Sequence, residues 1–223
     1  MRKGELTRQA ILERATAMAS RGGLQGLTIG LLADELKLSK SGVFAHFGSK
    51  DDLQVEVLRF CAEQFVDGVI RPALGTPRGE PRCRALFDGW LQWTRSHRLP
   101  GGCLFVAAAT ELDDRPCAAR DDLVRLQRDW LDVIATCFRS GISEGHFHPS
   151  ADPDQFAHDV YGIMLAYHHA ARLLKDPSAE ARARASFEAL LSAAAPAPRS
   201  TVKAALVPRR AARGRGRARV ART

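Results

Sequence analysis

The stretch Thr28-Ile29-Gly30-Leu31-Leu32-Ala33-Asp34-Glu35-Leu36-Lys37-Leu38-Ser39-Lys40-Ser41-Gly42-Val43-Phe44-Ala45-His46-Phe47-Gly48-Ser49-Lys50 decides how the N-terminal part of the chain folds. Ile29, Leu32, Ala33 and Leu36 recur at i, i+3, i+4 and i+7, which predicts a short helix with one buried stripe. Thr28 precedes the stripe as its N-cap. Lys37-Leu38 breaks the period, and Ser39 offers a fresh N-cap. A second short helix is expected from Lys40 to about Phe47, with Val43 and Phe47 turned inward. Gly48 ends it. Ser49 then caps a further helix whose first turn carries Asp51 and Asp52, where the helix dipole favours acids. Two short, separately capped helices joined by a brief turn make a helix-turn-helix.

A helix-turn-helix works by laying its second helix in the major groove of double-stranded DNA. The outward positions of the second helix here are small or polar: Lys40, Ser41, Gly42, Ala45 and His46. Small side chains let the helix sit deep, while Lys40, Ser41 and His46 reach base acceptors. Lys50 lies just past the helix, beside a cap rich in N–H groups, and suits a phosphate. Thr28, at the N-terminus of the first helix, is a second phosphate candidate, and Ser39, which heads the second, is counted among the DNA-binding residues. Lys3 and Arg8 are expected to reach the flanking backbone.

From Thr7 to Val57 the chain resembles the DNA-binding domain of the tetracycline-repressor (TetR) family, on the Thr28–Lys50 string quoted above. The resemblance implies a homodimer that binds a palindromic operator and leaves it when a small-molecule effector enters a C-terminal domain. Lys50 matches the family's phosphate-binding lysine. Phe44 stands where the family usually has a tyrosine, so a hydroxyl contact to phosphate is lost and apolar contact with a sugar or thymine methyl is expected. Gly101-Gly102-Cys103-Leu104-Phe105 followed by Glu111 looks like one subgroup of the family.

Outward from this segment, a first helix is expected from Thr7 to Arg21, stopped by Gly22-Gly23, with Leu24 and Leu27 as buried plugs. The Ser49 helix is expected to run to Ile70 and halt at Pro72. Further helices read as Arg82–His97, Gly102–Leu112, Cys117–Ser143, Asp152–Lys175 and Ser178–Ala194. The fold class is therefore all-α: a three-helix head and a helical-bundle body, about nine helices in all. The expected division is 1–50 for the DNA-binding head, 51–198 for a ligand-binding and dimerisation domain, and 199–223 for a disordered Arg/Ala-rich tail. Analogy with the family puts the dimer interface on the last two helices and the pocket between Arg82 and Ser143.

The net charge of +8 divides into +4 over residues 1–50, −5 over 51–198 and +9 over 199–223. Positive ends flanking an acidic middle suit a chain whose ends meet a polyanion. The tail has three readings: added phosphate affinity, contact with an anionic membrane surface, or neutral low-complexity sequence. No apolar run approaches the roughly 18 residues of a membrane span. The N-terminus lacks a signal-peptide pattern, so a soluble, cytoplasmic protein with no membrane partner is expected. Five cysteines without Cys-x-x-Cys spacing read as reduced core thiols.

Trp90, Trp93, Phe105, Trp130 and Tyr161 are candidates for an effector pocket, although aromatics at helical spacing are equally a plain core. Seven histidines include His146, His148, His158, His168 and His169, yet no His-x-x-x-His pair, so no metal site is expected. The acids Asp113, Asp114, Asp121 and Asp122 keep no nucleophile or base as company. No catalytic residue and no cofactor is assigned. The expected function is a sequence-specific transcriptional regulator, a repressor released by a small molecule. The alternative is a helical small-molecule- or metal-binding protein with a degenerate head.

Overall fold

The computed structural model describes residues 3–196, and over these the regular structure is entirely helical. The basic segment 199–223 lies outside the described residues. Helix α1 spans Lys3–Gly26, so it starts earlier than the pattern suggests, and Thr7 sits inside it instead of capping it. Gly23 breaks the helix with φ 79 and ψ 160, a conformation that costs glycine little and other residues much. The chain turns there, and Leu24 and Leu27 are driven fully into the core.

Helices α2 (Ile29–Leu36) and α3 (Lys40–Phe47) follow, then α4 (Lys50–Phe65). The sequence pattern stops this last helix before Pro72. Instead it passes through a π-helical turn, Val66–Ile70, into α5 (Arg71–Leu74). Arg71 N–H bonds the Val66 carbonyl five residues back, and Pro72 then falls in the first turn of α5, where it needs no N–H. The proline changes the register without ending the rod.

The body is built from α6 (Glu80–Thr94), α7 (Leu104–Leu112), α8 (Ala118–Ser143), α9 (Pro153–Arg172) and α10 (Ala179–Ala194). Asp152 caps α9 by accepting from the N–H groups of Asp154 and Gln155. Along α8, Leu123, Trp130, Ile134, Cys137 and Phe138 form the buried stripe. Phe138 stacks on Phe147 and Phe156 at 4.2 and 4.1 Å, and Phe87 stacks on Phe187 at 4.1 Å, joining α6 to α10. Helix α4 packs on both α1 and α8, and α7 packs on both α1 and α8. Two helices thus link head to body. Among the described residues no helix is long and apolar enough to cross a membrane.

Candidate nucleic-acid interface

Local chemistry sets the geometry of the head. Thr28 Oγ1 accepts from Leu31 N–H at 3.2 Å, Ser39 Oγ from Gly42 N–H at 3.0 Å, and Ser49 Oγ from Asp52 N–H at 3.0 Å. Each such cap is worth about 1 kcal/mol and fixes where its helix begins. Between α2 and α3, Lys37 takes the left-handed conformation (φ 55), and Leu38 N–H bonds the Ala33 carbonyl at 2.9 Å. This closing bond turns the chain sharply out of α2. Leu32, Ala33, Val43 and Phe47 lie beneath, all buried.

What remains outside is one continuous face. Ser39, Lys40, Ser41, Gly42, Phe44 and Ala45 are exposed, and Thr28, His46 and Lys50 are half-buried. The Lys40 stem runs beside Gly30, its Cε 3.4 Å from where a Cβ would sit. Phe44 exposes 53% of its surface. That is a large apolar ring held in water on a helix whose other two large apolar side chains, Val43 and Phe47, are buried. The Thr28 oxygen accepts its capping bond, which leaves the hydroxyl proton available for an outside acceptor. Lys50 Nζ donates to the Gln25 carbonyl at 2.8 Å. Arg8 does not form a free arm as expected. It is paired with Glu56 on α4, and its guanidinium lies 5.4 Å from the centre of the Phe47 ring. The Lys3 side chain lies outside what is described.

Behind the head, the body encloses a cavity of about 310 Å³ between α4, α6, α7, α8 and α9. Of the five aromatic candidates, Trp90, Phe105, Trp130 and Tyr161 line it together. Trp93 does not. It sits edge-on to Phe65, 5.4 Å away, and lines a separate cleft with Phe60 and Leu99 beneath α1. Phe65 itself is a wall residue the sequence did not single out, edge-on to Trp130 at 4.9 Å and to Phe105 at 5.9 Å. Gln127 is one polar group of the wall. It donates to the Phe105 carbonyl at 3.2 Å and accepts from the Tyr161 hydroxyl at 3.0 Å. Burial, helped by nearby Cys103, pushes the Tyr161 hydroxyl up to about 12. The lining includes Asp129 but no lysine or arginine. A usable signal for Gln127 was present: it interrupts the apolar stripe of α8 between Leu123 and Trp130.

Buried Cys61, Cys83 and Cys103 have thiols pushed up by desolvation, and all five cysteines are free. Among the described residues no three His, Cys, Asp or Glu side chains gather as a metal ligand set.

A capped helix-turn-helix with an open recognition face, joined to a helical body that encloses an apolar cavity, defines a one-component DNA-binding regulator. Residues 11–57 match the model for bacterial regulatory proteins of the tetR family, and residues 79–187 match that for the tetracyclin repressor-like C-terminal domain. The chain is 28% identical over 179 residues to the HTH-type transcriptional repressor KstR2 of Mycobacterium tuberculosis, covering 75% of this chain and 81% of that one. It is similar to a TetR transcriptional regulator from Chloroflexus aurantiacus, with 25% identity, TM-score 0.76, and 86% and 96% of the two chains covered. The crystal structure of AibR, in complex with isovaleryl coenzyme A and operator DNA, shares the fold at 19% identity and TM-score 0.63, over 81% and 97% of the chains. The chain belongs to the TetR family and is a DNA-binding transcriptional regulator.

Proposed function

We propose that the chain is a homodimeric repressor that holds a palindromic operator through α3 and releases it when a neutral, apolar small molecule enters the α4–α9 cavity. The observation that carries the DNA half is the exposed run Ser39, Lys40, Ser41, Gly42, Phe44 and Ala45, set on a helix pinned from below by Val43 and Phe47. Lys40, Ser41 and His46 read base edges, Phe44 and Ala45 make apolar contact, and Thr28, Ser39 and Lys50 hold phosphates. We retain the division into a head over 1–50, a body over 51–198 and a basic tail over 199–223.

Wall chemistry supports the effector class. The rings of Phe65, Trp90, Phe105 and Trp130 and several aliphatic side chains surround one amide–phenol pair, so a ligand gains from burial and finds one polar anchor at Gln127 and Tyr161. Among the described lining residues Asp129 alone carries a formal charge, and it is ion-paired with Arg125 at 3.5 Å, so the wall offers an anion no cationic partner. AibR was crystallised with an acyl coenzyme A; here only the apolar portion of such a molecule suits the cavity.

Support for the dimer comes from the α9–α10 face, a groove of about 620 Å³ lined by small residues such as Gly162, Ala166 and Ala183 that let a second copy approach closely. Ligand binding needs only a few kcal/mol of preference for a head spacing that misfits the operator. The reading places the protein in the cytoplasm and gives it no catalytic role or cofactor.

Selection of binding sites from random duplexes tests the proposal. Enrichment of a palindrome with half-sites about one helical turn apart is expected. No enrichment would favour the rival, a helical ligand-binding protein with a degenerate head.

A further inference from the structure

We propose that Glu111 is the positioning residue through which cavity occupancy reaches the DNA-binding head, a role that rests on the cavity being the effector site. Helix α7 is nine residues long. Near its start Phe105 and Val106 form part of the cavity wall. Near its end Glu111 Oε2 accepts from Gln25 N–H at 2.9 Å. At 1.5 Å per residue the two points are roughly 9 Å apart along one stiff rod.

Residue Gln25 is held through both of its main-chain groups. Glu111 of the body takes its N–H, and Lys50 of the head donates to its carbonyl at 2.8 Å. The neighbouring Leu24 carbonyl accepts from Gln54 Nε2 at 2.7 Å. Gly23 makes the approach feasible, because any Cβ there would overlap the Glu111 carboxylate. Before α7, Gly101 N–H donates to Ser20 Oγ at 3.1 Å, and a Cβ on Gly101 would overlap the Ser20 carbonyl. The end of α1 is therefore clamped twice to the segment Gly101–Glu111, and residues between the two clamps wall the cavity.

A ligand that displaces Phe105 and Val106 moves α7 as a unit and draws Glu111 from the Gln25 N–H, which loosens residue Gln25. The carbonyl that positions Lys50 is then no longer fixed, and a phosphate contact weakens. This route is distinct from α4, which reaches the cavity through Ala62 and Phe65. It also gives a physical role to the Gly101-Gly102-Cys103-Leu104-Phe105 and Glu111 pattern.

The test uses the neutral aromatic fluorophore N-phenyl-1-naphthylamine with the full-length wild type, Glu111→Ala and Glu111→Gln. Energy transfer from the tryptophans reports occupancy, and anisotropy of a selected duplex reports DNA affinity. The probe is expected to bind all three proteins alike and to weaken wild-type DNA binding by about 5- to 100-fold. Glu111→Ala should cut that shift to about twofold or less, whereas Glu111→Gln, whose amide oxygen still accepts from Gln25, should keep most of it. Equal shifts in wild type and Glu111→Ala would overturn the role of Glu111 and leave the effector reading standing. An absent probe, or a bound probe with no shift in the wild type, would overturn the effector reading and this proposal together. Should Glu111→Ala fail to fold, amide exchange at Gln25 in the wild type decides. Faster exchange with probe supports the proposal, and unchanged exchange overturns it.

Discussion

The Lys50 ammonium donates to the Gln25 carbonyl across 2.8 Å, tying the first residue of α4 to the last turn of α1. An ammonium has three donors, so this bond leaves two for a phosphate while fixing where they point. Lys50→Ala should weaken binding to all duplexes alike and lower the slope of log affinity against log salt by about one. Anisotropy at several salt concentrations measures both. A changed operator preference would mean that Lys50 reads bases.

Phe44 carries a different expectation because its ring bears no charge. Phe44→Ala should cost about 1–2 kcal/mol on the preferred duplex, the scale of burying part of a phenyl ring. The salt slope should stay unchanged. Replacing thymine by uracil at the contacted step should cost the wild type affinity and leave Phe44→Ala indifferent. Equal losses in both proteins would remove Phe44 from base reading.

The Tyr161 hydroxyl gives a pH signature for the cavity wall. Its pKa in the fold is raised to about 12, against about 10 unfolded. Between those values the unfolded chain has lost the proton that the folded chain keeps, so stability falls as pH rises. The contribution is fully present below pH 10 and lost through pH 12, a change of about 3 kcal/mol. Urea unfolding of wild type and Tyr161→Phe isolates it from lysine titration. The wild type should lose more stability than the variant across that window, and parallel curves would contradict the buried hydroxyl.

Glycines separate close approach from open space. Gly101→Ala forces a Cβ into the Ser20 carbonyl and should destabilise by about 3 kcal/mol or more. Gly22→Ala meets nothing within 4 Å in α1 and should stabilise by about 0.5–1 kcal/mol. Thermal melts of both variants check the pair. Equal effects would show that α1 and the Gly101 loop do not meet as described.

How far the sequence reveals all this depends on the range of each interaction. Thr28, Ser39 and Ser49 act on residues three positions away, so their caps and the helices they start are legible from the sequence. Arg8 reads as a free DNA contact because its partner Glu56 lies 48 positions on. Trp90 and Trp93 look equivalent at helical spacing, yet packing against elements remote in sequence puts Trp90 on the cavity and Trp93 on a separate cleft. Pro72 reads as a terminator because nothing local announces the π-helical turn before it.

Chemical protection of the selected duplex tests most directly whether α3 lies against base edges. Dimethyl sulfate methylates guanine N7 in the major groove and adenine N3 in the minor groove. Bound protein is expected to shield N7 positions in two half-sites about 10 base pairs apart and to leave adenine N3 between them reactive. Shielding of the minor groove alone, or full reactivity at every N7 under saturating protein, would contradict it.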